Sequence, residues 1–149
     1  MEAELRALAD RELPGHVEWL GALPMRHASA EISRADCLVL PSRFDGWGAV
    51  VSESLMAGVP AICSDACGAS VVVRTSGHGG VFSGPDQNEL ITLLRQAFQR
   101  GRPSIADRQA LSRWASCLAA EAGANYLLKI LGHSERGSAR PTPPWTGAH

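Results

Sequence analysis

The sequence has almost no excess of charge of either sign. It contains 14 Lys and Arg residues against 15 Asp and Glu residues, and its formal net charge is −1. Proteins that bind nucleic acid usually carry a basic patch or stripe, so no nucleic-acid partner is expected. Long apolar runs are also missing, since none approaches the roughly 18 residues of a membrane span. The first residues form a charged helical pattern and not a signal peptide, so a cytoplasmic protein is predicted.

The chain lacks a cysteine pattern with the spacing of a metal site, although it contains four cysteines. Cys63 and Cys67 lie four positions apart, with no second Cys or His pair at zinc-binding spacing. Neither a metal nor a cofactor is therefore predicted, and buried thiols are the simplest interpretation. Among the scattered histidines, His78 stands in a glycine-containing loop that is expected to border the ligand-binding edge of the sheet.

What the chain does contain is an alternation of apolar strand-length runs with helical patterns. This alternation predicts an α/β fold with a parallel sheet flanked by helices. Strands are predicted at 16–20, 37–40, 61–64 and 80–83, and helices at 2–10, 28–35, 48–57, 69–75, 86–100 and 104–132. Capping boxes are expected at Asp86 with Glu89 and at Ser104 with Asp107. One domain over 1–132 is predicted, followed by a Pro- and Gly-rich unstructured tail at 133–149.

The most informative segment runs from Pro41 to Glu53, where a strand is followed by a glycine-containing turn and a helix. It places Asp45 and Glu53 eight positions apart, on opposite sides of the turn Gly46-Trp47-Gly48. From the rise of a helix we expect about 10 to 15 Å between these carboxylates. On a helical wheel of the helix after this turn, Glu53 lies opposite the apolar stripe. The amides at the N-terminus of a helix have no partner within the helix and attract phosphate. The spacing suits a long anionic ligand that bears hydroxyl groups.

This segment, continued through Val51-Ser-Glu-Ser-Leu-Met-Ala-Gly-Val-Pro to Asp65, resembles the nucleotide-sugar half of retaining GT-B glycosyltransferases of the group 1 family. The family signature is a Glu, seven residues and a second Glu, and here Asp45 takes the first position. The resemblance implies that Asp45 binds the hydroxyls of the donor sugar and that Glu53 binds the ribose. It also implies that the turn at Gly46 presents the amides of Trp47, Gly48 and Ala49 to the sugar and the diphosphate.

The same resemblance implies a sheet of order 3-2-1-4-5-6, of which this chain is expected to contain only the later strands, as a partial Rossmann-like sheet. The partners implied are a nucleoside diphosphate sugar, a saccharide or lipid-linked acceptor, and an N-terminal domain on which Trp145 could dock. Without that domain the isolated chain is expected to bind the donor but not to transfer sugar. No catalytic residue is assigned.

Two alternatives stay open. The chain could be a degenerate, non-catalytic module that binds a nucleotide sugar or another protein. It could also be a dinucleotide-binding βαβ unit of the NAD type, with Gly46 and Gly48 in the turn and Asp65 on the ribose. Against the second alternative, Val51 occupies the third glycine position and five residues separate Leu40 from Gly46.

Overall fold

The computed structural model describes residues 2–136 and 140–147, with only the backbone at 134–136. Its helices are α1 (Glu2–Glu12), α2 (Met25–Arg34), α3 (Ala49–Met56), α4 (Ser70–Ser76), α5 (Gln87–Arg100), α6 (Ile105–Ala115) and α7 (Ala120–Arg136). The strands are β1 (Leu38–Leu40), β2 (Ala61–Ser64) and β3 (Gly79–Phe82). Short 3-10 helices occupy Ser116–Leu118 and Pro144–Thr146.

The three strands form one parallel sheet in the order β1-β2-β3. Leu38 pairs with Ala61 in the β1–β2 ladder, and Ala61 pairs with Gly79 in the β2–β3 ladder. Each crossover between parallel strands contains a helix, as α/β folds require. The predicted α/β class and the partial Rossmann-like sheet are therefore confirmed.

Successive side chains of a strand point to opposite faces of the sheet, and helices cover both faces here. Ala61 and Cys63 of β2 belong to a core that also contains Val51 and Leu55 of α3 and Leu111 of α6, all at most 1% exposed. On the opposite face Gly80 approaches Leu93 of α5 so closely that an added Cβ would lie 2.5 Å from its Cδ2 atom. The apolar stripe predicted for the helix after β1 thus packs on the sheet.

The predicted helix caps form, with one difference. Asp86 accepts hydrogen bonds from the amides of Asn88 and Glu89, and Ser104 and Asp107 form a reciprocal capping box. The Glu89 carboxylate, however, accepts from the amide of Ser83 at 2.7 Å and not from that of Asp86. The reason is that the Asp86 amide already donates to the carbonyl of Ser83 at 2.8 Å.

Two predicted elements differ from the structure. No strand forms at 16–20, because a strand needs a neighbouring edge to bond and β1 pairs only with β2 in the described chain. Trp19 of this segment instead lies under the Arg6 guanidinium, 4.8 Å from its carbon to the ring centre. The last helix is not continuous either, because Ala119 adopts an extended conformation with ψ 156° between α6 and α7. Gly132 does not end the helix, which continues to Arg136.

The predicted tail lies partly outside the described residues, namely at 137–139 and 148–149. Within the described part, residues 133–136 continue α7 and Pro144–Thr146 form a turn of 3-10 helix. Trp145 packs against the edge of the main core.

Candidate functional site

The segment that follows β1 is attached to the segment that follows β2. The amide of Asp45 donates to the carbonyl of Ala66, and the carbonyl of Asp45 accepts from the amide of Gly68, each at 3.2 Å. These two bonds make a parallel bridge between Asp45 and Cys67. Asp45 therefore lies at the carboxyl edge of the sheet, where open α/β sheets bind ligands.

The turn between Asp45 and α3 is fixed from both sides. The Asp45 carboxylate accepts a 3.2 Å hydrogen bond from the amide of Trp47, as in many Asx turns. The Trp47 carbonyl accepts from the amide of Ala69 at 2.6 Å and from the Cys67 thiol at 3.0 Å. A ligand would have to compete with Asp45 for the amide of Trp47, whereas the resemblance assigns that amide to the donor.

Gly48 begins α3 in a left-handed conformation, with φ 81°. An added Cβ would lie 2.4 Å from the Sγ atom of Cys67, so both the dihedral angle and the space require glycine. Within the part of the chain that the structure describes, the amides of Gly48, Ala49 and Val50 have no hydrogen-bond acceptor. These amides stand at the positive end of the helix dipole and are suited to an anion.

Glu53 lies on α3 away from the sheet. Val51 and Leu55 of the same helix are completely buried, whereas Glu53 is half-buried and lines a cavity of about 330 Å³. The cavity lies between α3 and α7 and is also walled by aromatic, apolar and hydroxyl groups: Trp47, Ser52, Met56, Leu118, Tyr126 and Trp145. Glu53 therefore borders this cavity together with Trp47 of the turn.

Three aromatic side chains stand together in the wall of this cavity. The Trp47 indole donates its N–H to the hydroxyl of Ser52 at 3.0 Å. The Trp145 ring centre lies 5.7 Å from that of Trp47 and 6.5 Å from that of Tyr126. Neither Tyr126 nor Ser52 was predicted as a site residue, and Trp145 was expected to dock on an N-terminal domain. No local sequence pattern marks Tyr126, because its ring contact is with Trp145, a residue distant in the sequence.

The expectation for His78 is wrong. This residue precedes β3 and lines a second cavity with Asp36, Pro60 and Arg100. Asp36 and Pro60 likewise lie just before β1 and β2, so this cavity is at the amino edge of the sheet. A loop that leads into a parallel strand lies at the edge opposite to a loop that leaves one, and His78 is therefore remote from Asp45.

Cys63 and Cys67 are buried thiols as expected, whereas Cys37 and Cys117 are partly exposed. Burial raises the pKa of Cys63 from 9.0 to about 12, and it also raises the pKa of Cys37. All four cysteines are free thiols. Over residues 2–136 and 140–147, no group of three or more His, Cys, Asp and Glu side chains is arranged to hold a metal ion.

Three findings bear on the class of the protein. No helix in the described ranges has the length and apolar character to cross a membrane. Comparison with curated proteins gives no match. Residues 1–116 match the family described as Glycosyl transferases group 1, and this range contains the sheet, Asp45, the turn and Glu53. Because the match covers more than half of the chain, the protein belongs to the group 1 glycosyltransferase family.

Proposed function

We propose that this domain binds the nucleoside diphosphate sugar of a retaining GT-B glycosyltransferase. The Asp45 carboxylate accepts hydrogen bonds from the sugar hydroxyls, and Gly46 keeps the turn open to the ligand. The amides of Gly48 and Ala49, with that of Trp47 where the ligand displaces Asp45, bind the diphosphate. Glu53 accepts hydrogen bonds from the ribose diol.

The observation that carries this proposal is the open N-terminus of α3 between the two carboxylates. Its first amides have no acceptor in the described chain, and Gly48 holds them in place through contacts that no other residue would fit. Asp45 stands on the β1 side of this terminus, and Glu53 faces the cavity one turn into the helix. A sugar, a diphosphate and a ribose in a row meet these three groups in order.

The chemistry follows from where charge develops. Breaking the bond between the sugar and the diphosphate places negative charge on the leaving phosphate oxygen, beside the helix amides. Donors that are already oriented toward that charge lower the barrier without reorganising during the reaction. The acceptor, a saccharide or a lipid-linked saccharide, would be held by an N-terminal domain. We therefore expect the 149-residue chain to bind the donor and not to transfer sugar by itself.

Calorimetry with uridine, guanosine and adenosine diphosphates and their glucose conjugates tests this proposal. We expect Glu53→Ala to weaken binding of the preferred nucleotide by about 1 to 3 kcal/mol, the range for losing a charge-assisted hydrogen bond. Glu31→Ala is the matched control, because Glu31 is also a partly exposed helix carboxylate but pairs with Arg34.

Equal affinity in the Glu53→Ala and Glu31→Ala variants, at unchanged unfolding temperature, would contradict the ribose assignment. Binding of NAD in preference to every nucleoside diphosphate would favour the dinucleotide-binding alternative. Glycoside formation by the chain alone would show that it contains an acceptor site.

A further inference from the structure

The second cavity lies at the amino edge of the sheet, opposite to the edge that carries Asp45. It has a volume of about 330 Å³, which is within the range of about 300 to 1,000 Å³ for sites that bind small molecules. It is bordered by residues at or just before the start of each strand, by the end of α5 and by the residues that lead into α6. Part of its wall is apolar, namely Pro60, Ile62, Ala97 and Pro103. The cavity therefore has the size and the apolar surface to hold a small organic molecule.

The carboxylates that border this cavity already have partners. Asp36 forms ion pairs with Arg102 at 3.2 Å and with Arg108 at 3.4 Å. The Asp107 carboxylate accepts hydrogen bonds from the amide and the hydroxyl of Ser104, at 3.0 and 2.6 Å. Each carboxylate thus has donors within the chain, and neither depends on a cationic ligand.

Arg100, by contrast, borders the cavity without a carboxylate partner. Its Nε atom donates to the carbonyl of Gln96 at 3.4 Å, and no side chain in the described ranges forms an ion pair with its guanidinium. Burial raises the pKa of Cys37, on the wall just before β1, and the nearby charge of Arg100 opposes that rise. A guanidinium with free N–H groups can bind a carboxylate through two parallel hydrogen bonds. Arg100 therefore offers an anion-binding group beside the apolar wall.

The ring of His78 forms a fixed part of the same cavity. Its Nδ1 atom lies 2.6 Å from the carbonyl oxygen of Ser76, and Nδ1 carries the hydrogen because a carbonyl can only accept. The amide of His78 also donates to the hydroxyl of Ser76 at 3.0 Å. These two hydrogen bonds hold the ring and the backbone just before β3, so this side of the cavity is formed without a ligand.

We propose that this cavity binds a small organic carboxylate, whose apolar body lies against the apolar wall and whose carboxylate pairs with Arg100. Three guanidinium groups stand against two carboxylates at this edge, and the excess charge favours an anion. The inference goes beyond the proposed function and does not depend on it, because the amino edge of the sheet is remote from Asp45 and Glu53.

The test follows the backbone amides of the ¹⁵N-labelled chain by NMR while phenylacetate, benzyl alcohol or benzylamine is added. The three probes share a benzyl group and carry a negative charge, no charge and a positive charge. We expect phenylacetate to shift the amides of Ile62, Gly79 and Gly101 saturably and to leave those of Gly48 and Glu53 unchanged. Benzyl alcohol should bind about tenfold more weakly, because it cannot form the charged hydrogen bonds to Arg100, and benzylamine should bind more weakly still.

Three variants test the contacts. Arg100→Gln should weaken phenylacetate binding about tenfold or more, and its exposed side chain makes unfolding an unsuitable explanation. Arg95→Gln is the matched control and should bind phenylacetate as the parent chain does, because Arg95 is an exposed arginine of the same helix that does not border the cavity. Ala97→Leu enlarges a side chain of the wall and should weaken the binding of phenylacetate and benzyl alcohol alike.

Equal affinity of Arg100→Gln and Arg95→Gln for phenylacetate would overturn the inference. Tighter binding of benzylamine than of phenylacetate would also overturn it, because the carboxylates would then determine the ligand. Shifts that do not saturate, or that appear at Gly48 and Glu53 instead, would show that the cavity is not the site. None of these results bears on donor binding, because Arg100→Gln should bind nucleoside diphosphates as the parent chain does in the calorimetry described above.

Discussion

Gly48→Ala is the sharpest test of how the turn before α3 is built. At φ 81° an alanine pays a left-handed backbone penalty of about 1 to 2 kcal/mol. Its Cβ would also lie 2.4 Å from the Sγ atom of Cys67, which is 1% exposed and cannot move into solvent. Overpacking of this kind costs about 1 to 3 kcal/mol. We therefore expect a loss of about 2 to 5 kcal/mol in the free energy of unfolding.

A second variant separates the two contributions. Cys67→Ala removes the Sγ atom that the new methyl group meets, but it leaves the backbone penalty in place. The Gly48→Ala/Cys67→Ala double variant should therefore be more stable than the sum of the single losses predicts, by about 1 to 2 kcal/mol. Urea unfolding followed by circular dichroism gives the three free energies.

Gly46→Ala is the matched control on the same turn. An added Cβ at Gly46 meets nothing within 4 Å, so we expect a change within about 0.5 kcal/mol. Strictly additive losses for Gly48→Ala and Cys67→Ala would refute the steric argument. A Gly48→Ala variant as stable as Gly46→Ala would refute the whole account of the turn.

Three further predictions concern the core and the helix ends. Burial raises the pKa of Cys63 to about 12, so the stability that depends on its protonated thiol is present below pH 9 and is lost between about pH 9 and 12. In urea unfolding at increasing pH, a Cys63→Ala variant should therefore lose less of its unfolding free energy over this range than the parent chain. Hydrogen bonds from Ser104 lower the pKa of Asp107, so the stability from its carboxylate is present above the usual aspartate pKa and is lost as pH falls. Asp107→Ala should accordingly unfold at a lower temperature than the parent chain at pH 7, and the two unfolding temperatures should approach each other at pH 2. Arg108 donates hydrogen bonds to two carbonyls at the end of α2, at 3.0 and 2.6 Å. Arg108→Ala should therefore lower the free energy of unfolding by about 1.5 to 3 kcal/mol. Arg102→Ala is the control, because that side chain is 88% exposed, and it should lower the free energy of unfolding by less than about 1 kcal/mol.

The sequence was sufficient for the parts of the fold that follow from local patterns. The apolar runs at β1 and β2 and the apolar stripe of α3 have the periods of a strand and a helix, so their positions were predicted within one or two residues. The N-caps at Asp86 and Ser104 were predictable for the same reason, since a cap is a contact within three residues.

The predictions that were wrong depended on competing contacts, some of them distant in the sequence. Residues 16–20 have a strand-like composition, but a strand forms only where a neighbour offers an edge. The Glu89 carboxylate accepts a hydrogen bond from the amide of Ser83, because the amide of Asp86 donates to the carbonyl of Ser83. Nothing local indicated that Tyr126 would meet Trp145, because the extended Ala119 redirects α7 after α6.

The order β1-β2-β3 also bears on how the domain folds. Each strand pairs with the next strand in the sequence, so every ladder closes after one intervening helix and no strand has to wait for a distant segment. Loop closures of this length cost less entropy than long ones, and folding is faster where contacts are local. Because β2 belongs to both ladders and all four of its residues are buried, its amides should be among the last in the domain to exchange with solvent deuterium.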